Sequence, residues 1–169
     1  LFDFHGRGRK PQIALAKQYG IEEYAQPAGG CCFLTDEAYS HKLSDLWQHR
    51  GKRDYELDDI MLLKVGRHLR PRPHFKLIVS REEGETNFML GYKQQFINMH
   101  TESHGGPLAL IDGEINDDDL HLAARLLARY SQGRDAEQVT VKITDKQGHS
   151  RLLDIAPLPA AEIPESWYL

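Results

Sequence analysis

The stretch from Asn116 to Ile155 limits the architecture more than any other part of the sequence, because its hydrophobic period switches there from helical to strand-like. Leu120, Ala123, Ala124, Leu127 and Tyr130 recur at i, i+3, i+4, i+7 and i+10, which makes one apolar stripe on a helix. Asn116 precedes the stripe as an N-cap. Asp117, Asp118 and Asp119 fall in the first turn, where the helix dipole favours negative charge. That position explains the acidic run without a metal site. Val139–Ile143 and Arg151–Ile155 then alternate around Asp145-Lys146-Gln147-Gly148, a hairpin signature. An isolated hairpin is marginal in water and needs further strands or a helix against its apolar face. The segment therefore requires a sheet with at least one covering helix.

The remaining pattern fits that requirement. Residues 9–19 read as a helix closed by Gly20, which accepts the left-handed conformation. A second helix begins near Asp36 with Thr35 as N-cap, and Tyr39, Leu43, Leu46 and Trp47 form its buried stripe. It runs out at Arg50-Gly51-Lys52-Arg53-Asp54, a boundary. Leu57–Leu63 reads as a short helix opened by acids. Lys64–Leu69 and Phe75–Ser80 read as strands joined by a turn at Pro71–His74. Residues 82–93 read as a helix, Phe96–Met99 and Leu108–Ile111 as strands, and the proline-bearing tail after Ala156 as extended chain. The expected fold class is α+β: a small helical N-terminal part followed by a mixed or antiparallel sheet with two or three helices.

A chain of 169 residues buries enough surface to fold without staples. It has no apolar run long enough to span a bilayer, and its polar, basic start leads to the expectation of no secretory leader. It begins with Leu, which reads as a fragment or processed product. Cys31 and Cys32 are adjacent, where a mutual disulfide is strained, so a reducing, cytoplasmic compartment is expected. The loop Pro27-Ala28-Gly29-Gly30-Cys31-Cys32 places a thiol ahead of a helix N-terminus, where the dipole stabilises a thiolate. The alternative is a tight turn with two small buried residues. Paired metal ligands of the zinc type are absent. So are the GxxxxGK[ST] and strand-borne GxGxxG signatures and the GxSxG elbow. No complete active site is legible, and no cofactor is expected in this chain.

Net charge is −4, against a globally basic nucleic-acid binder, but the average hides segregation. Between Met61 and Arg81 stand Lys64, Arg67, Arg70, Arg72, Lys76 and Arg81 without one Asp or Glu. A smaller cluster, Arg7, Arg9 and Lys10, lies near the start. If residues 64–70 form a strand, Lys64, His68 and Arg70 share one face and Val65, Arg67 and Leu69 the other. The first face, with Arg72 and Lys76 nearby, would neutralise phosphates, and His68 or His74 would stack on a base. An edge strand kept soluble by positive charge is the competing explanation.

Two groups of residues carry a resemblance. Gly6-Arg7-Gly8-Arg9-Lys10-Pro11-Gln12-Ile13-Ala14-Leu15-Ala16-Lys17-Gln18-Tyr19-Gly20-Ile21, Pro27–Cys31 and Leu34-Thr35-Asp36 resemble the C-terminal half of tRNA thiouridylase-like proteins, relatives of the PP-loop ATP pyrophosphatases. Leu63-Lys64-Val65-Gly66-Arg67-His68-Leu69-Arg70, the run Lys76–Asn87 and Ala128-Arg129-Tyr130-Ser131 resemble the NFACT-type RNA-binding domain that follows in such proteins. Gly8, Cys32 and Val79-Ser80-Arg81-Glu82 depart from the family pattern.

The resemblance implies residues 1–54 as the helical tail of the thiouridylase-like domain and 55–169 as an RNA-binding α+β domain. It implies tRNA or another structured RNA as partner and sulfur transfer as the whole protein's activity. The ATP-binding domain with its SGGxDS-type motif is not in this chain, and ATP belongs to that domain. Cys31, with Cys32 beside it, would act as persulfide carrier or thiolate assistant alongside a sulfur-donor protein. RNA would be held by Arg7, Arg9, Lys10, Lys64, Arg67, His68, Arg70, Arg72 and Lys76. A catalytic sulfur-transfer part and a dimerisation domain without ligand are the other readings.

Overall fold

The computed structural model describes residues 9–23, 33, 36–51 and 55–169. The chain divides into two compact units, Leu1–Ser40 and His41–Leu169. In the first unit, α1 spans Lys10–Gln18 with Pro11 in its opening turn and Gly20 beyond its end at φ +67°. None of its residues is buried. The helix α2, Glu37–Arg50, straddles the division. Asp36 stands at its N-cap and accepts the Tyr39 amide at 2.8 Å. The expected cap, Thr35, and the Pro27–Cys32 loop with Cys31 and Cys32 lie outside the described residues, as does Arg7. Of the expected stripe on α2, Tyr39, Leu43 and Leu46 are buried and Trp47 is partly exposed.

The second unit continues with α3 (Leu57–Leu62), β1 (Arg67–Arg72), β2 (Phe75–Val79), α4 (Glu83–Leu90), β3 (Ile97–Thr101), β4 (Leu108–Gly113), α5 (Asp117–Arg129), β5 (Val139–Thr144) and β6 (Ser150–Ile155). The six strands form one sheet in the order β1-β2-β4-β3-β5-β6, antiparallel at every pairing. Asn116 caps α5 through its side chain, which accepts the Asp119 amide at 2.9 Å, while Asp119 Oδ2 accepts the Asn116 amide at 3.2 Å. The acidic run is thus used in helix initiation.

Strand alternation sends Leu69, Phe75, Leu77, Val79, Met99, Ala109 and Ile111 to one face, where α5 covers them with Ala123, Ala124 and Leu127. The other face buries Ile78, Leu108 and Leu110 under Leu62 of α3 and Met89 of α4. Helices therefore cover both faces of β1, β2 and β4. Over β3, β5 and β6 the second face carries partly or fully exposed side chains such as His100, Lys142 and Leu152.

β1 departs from the expected boundaries. It begins at Arg67 rather than Lys64, because Gly66 turns the chain at φ +75°. It continues through Pro71 to Arg72, with a register irregularity between Leu69 and Arg72. Proline is tolerated there because β1 is an edge strand. The tail closes part of that edge: Leu69 bridges to Tyr168, and the Leu169 amide donates to His68 O at 3.1 Å. No helix among the described residues is long and apolar enough to cross a membrane.

Candidate nucleic-acid interface

Pairing β1 against β2 places both faces of the basic stretch under definite constraints. His68, Arg70 and Lys76 share the face under α2, α3 and α4. His68 is 1 % exposed, with Nε2 3.1 Å from Leu62 O and 3.0 Å from Val65 O. Two carbonyl partners require Nε2 to carry the proton. Burial, with the Lys76 and Lys42 ammonium groups nearby, pushes its pKa well below the ordinary value. Arg70 donates to both oxygens of Asp45 on α2, Nη2 to Oδ2 at 2.7 Å, and to Pro73 O at 3.1 Å. Lys76 is 2 % exposed and 3.4 Å from Asp112. Burial lowers its pKa, opposed by Asp112 and Asp45.

The expected RNA face of β1 is therefore corrected. His68 has no surface for stacking on a base, and Arg70 and Lys76 spend their charge on internal carboxylates. The strand alternates as its sequence requires, but α2 and α3 fold over the face that carries these cations. Lys64 precedes the strand and lies half-buried, Nζ 3.8 Å from Met61 Sδ. Arg72 is exposed at the far end of β1. His74, also exposed, bonds Asp119 Oδ2 at 2.8 Å. Arg9 and Lys10 are exposed at the start of α1, in the first unit.

Arg67, which strand alternation sends to the other face, lies elsewhere. Its guanidinium carbon sits 4.4 Å above the Tyr130 ring at the end of α5. The Tyr130 hydroxyl shares a 2.8 Å hydrogen bond with that of Tyr168. Burial raises the Tyr130 phenol pKa, and the bond to Tyr168 adds to it. Arg67 and Tyr130 form one wall of a cleft of about 700 Å³. Arg81 after β2 and Arg129 and Arg134 around the C-terminus of α5 bring three more guanidinium groups to it. Gly105, Gly106 and Pro107, between β3 and β4, line it with backbone.

Local bonding fixes this end of the fold. The Gln132 amide donates to Gly105 O at 2.8 Å, and Ser131 Oγ accepts the Gly133 amide at 3.0 Å. A Cβ at Gly106 would run into the Thr101 hydroxyl and Ser131 Cβ, so glycine lets the loop lie against α5. Glu85 receives the Arg81 amide at 2.7 Å and the Arg81 Nε at 3.0 Å. Burial pushes the Glu85 carboxyl up, but the Arg81 guanidinium and the Gly66 and Arg81 amides outweigh it and hold it at about 2. Among the described residues, the carboxylate that Arg129 and Arg134 meet is the exposed Asp135, at 3.9 and 3.8 Å. Pairs that long and exposed contribute little, so both guanidinium groups remain disposed toward a ligand anion. Glu82 and Glu83 also line the cleft, leaving arginine in the majority.

Of the arginines that line the cleft, the sequence expectation names Arg67 as an RNA contact but not Arg81, Arg129 or Arg134, the last two distant in the chain. The signal lay in Arg129, at the polar end of the strongest helix, followed by Tyr130 and then Arg134. Among the described residues no group of three or more His, Cys, Asp or Glu is placed to hold a metal ion.

Fold and cleft together define a small antiparallel α+β module with an arginine-lined cleft at one end of its sheet. The profile of the NFACT protein RNA-binding domain matches residues 66–168, most of the second unit and more than half of the chain. The chain belongs to that family. In fold it is similar to the C-terminal part of the fibronectin/fibrinogen-binding protein from Streptococcus suis, with a TM-score of 0.52 and 17% identity. The alignment covers 62% of this chain and 50% of that one, so the chain spans half the length of that relative. No match is found among curated proteins.

Proposed function

We propose that this chain binds RNA through the cleft between Arg67, Arg81, Arg129 and Arg134, as part of a tRNA-modifying, thiouridylase-like protein. The observation that carries the RNA-binding reading is the convergence of four guanidinium groups, from β1 and from the ends of β2 and α5, on one cleft inside the family-matched segment. Guanidinium forks pair bidentately with phosphate oxygens. The Gly105-Gly106 backbone allows close approach of a sugar–phosphate chain. Arg72, exposed at the end of β1 away from the cleft, and Arg7, Arg9 and Lys10 of the first unit are separate phosphate contacts in this reading.

The tRNA and sulfur-transfer context rests on the sequence resemblance of residues 6–36. In that reading ATP serves a separate PP-loop domain, and in the cytoplasm the Cys31 thiolate, flanked by Cys32, attacks the outer sulfur of a persulfide on a sulfur-donor protein, taking that sulfur and releasing the donor's thiolate. The Cys31→Ser variant of the complete protein then loses thiolation of tRNA; retained thiolation removes Cys31 from the reaction.

Binding of the chain to bulk tRNA is measured at low and moderate salt. Micromolar affinity that falls steeply with salt is expected, because phosphate contacts release counterions. The double variant Arg129→Glu/Arg134→Glu, whose side chains are partly or well exposed, abolishes it with the fold intact. Binding that survives this reversal places the RNA elsewhere.

A further inference from the structure

A second cation cluster lies at the opposite end of β3 from the arginine cleft. Lys93 precedes β3, Lys142 lies on β5 and Lys146 in the β5–β6 turn; with His100 they line a depression of about 210 Å³. The rest of its lining is polar, including Asn98, Thr144 and Ser150. No apolar side chain contributes, which does not suit a peptide or lipid. Its one carboxylate, Asp145, is committed to its own turn. It accepts the Gln147 and His149 amides, each at 2.9 Å, and meets His149 Nδ1 at 3.1 Å. Neither Lys93 nor Lys146 meets a carboxylate among the described residues. The exposed Glu102 meets both His100 Nε2 at 3.1 Å and Lys142 Nζ at 3.7 Å, a weak surface pairing, while His100 Nδ1 is buried without a partner among the described residues.

The strip between the two clusters is the part of the sheet that no helix covers. His100 and Lys142, paired across β3 and β5, form the side of the depression nearest the Ser103–Gly106 loop at the cleft. The length of β3, about 15 Å, separates the Lys93 and Lys146 end of the depression from the cleft, more than one nucleotide reaches but within the span of a short strand. We propose that the depression formed by Lys93, His100, Lys142 and Lys146 is a second phosphate-backbone contact for the RNA strand that enters the arginine cleft. The inference rests on the RNA-binding reading above.

The test uses the full chain and single-stranded RNA oligonucleotides of about four and about sixteen nucleotides. Lys93→Glu/Lys146→Glu is expected to weaken the longer oligonucleotide about tenfold and to flatten its salt dependence by about 0.7 per lost contact. The shorter one is expected to bind as before, because it occupies the cleft alone, and to be lost in Arg129→Glu/Arg134→Glu. Unchanged affinity for the longer oligonucleotide in the lysine variant overturns the second contact and leaves the cleft standing. Equal weakening of both lengths also overturns it, because a general field rather than a contact is then at work. If the unsubstituted chain binds neither length at low salt, the RNA-binding reading falls, and this inference with it.

Discussion

Arg67 and Arg70 stand on the same edge strand, yet their surroundings differ in kind. Arg70 is covered by α2 and locked in a bidentate pair with Asp45, the two side chains only 11% and 5% exposed. Arg67 lies over an aromatic ring in an open cleft, beside Arg129 and Arg134, whose partner is weak and exposed. One cation stabilises the fold against its own burial cost, and the other faces a site where like charges gather. Gathering like charges is unfavourable without a ligand, whereas a buried pair needs none. The difference shows why a run of basic residues in a sequence is not a binding surface until each face is assigned.

The sharpest way to break this comparison is to remove one partner of each kind. Asp45→Ala leaves the Arg70 guanidinium buried without its carboxylate, and the expected loss of stability is about 3–5 kcal/mol. Denaturant unfolding measures it, and Asp45→Asn, which keeps hydrogen-bond acceptance, is expected to lose less. RNA affinity of either variant, taken where it is still folded, should match the parent. Arg129→Glu/Arg134→Glu is expected to show the converse: stability within about 0.5 kcal/mol of the parent, and binding lost. Weakened RNA binding in folded Asp45→Asn would return Arg70 to the interface.

This division also marks how far the sequence could be read. The antiparallel hairpin at 139–155, the Asn116 cap and the α5 stripe were legible because each depends on local periodicity and capping chemistry. The alternation of 64–70 was legible too, but which face meets solvent depends on α2 and α3, whose docking has no local signature. The cleft was half legible. Arg67 could be assigned to the face opposite Arg70, while Arg129 and Arg134 reach it only through the antiparallel order that brings the end of α5 beside the β3–β4 loop. Pro71 misled in the other direction, since a proline that ends an inner strand is harmless at an edge.

A smaller effect sharpens the buried side of the comparison. His68 has a folded pKa depressed by burial and by Lys76 and Lys42, against about 6.5 in the unfolded chain. Below that value the unfolded state takes up a proton that the folded state refuses, so stability falls as pH drops below about 6.5. The loss approaches about 1.4 kcal/mol per pH unit while the folded imidazole stays neutral. Above it both states are neutral and the contribution is level. Unfolding free energies at pH 8 and pH 5.5 should therefore differ more in the parent than in His68→Gln, which keeps a donor for Leu62 O and Val65 O but has nothing to protonate. Equal differences would mean that the imidazole is reached by water and protonated in the fold.

The smallest effect concerns what seats Arg67. The Tyr168 hydroxyl touches that of Tyr130, whose ring lies beneath the guanidinium. Tyr168 itself is held by backbone, through its bridge to Leu69 and the adjacent Leu169–His68 bond, so Tyr168→Phe keeps the tail docked and removes one hydrogen bond. The expected cost is about 1 kcal/mol or less in stability, with RNA affinity down by about twofold as the Tyr130 ring gains freedom. Tyr130→Leu removes the cation–π contact outright and should weaken binding further, by about the 0.5–1 kcal/mol that such contacts contribute at exposed sites. If both variants bind RNA like the parent, Arg67 does not contact the ligand, and the interface narrows to the arginines of α5 and β2. Ordered losses, with Tyr130→Leu the larger, would instead show that the wall built by β1 and the tail orients the guanidinium for the phosphate it meets.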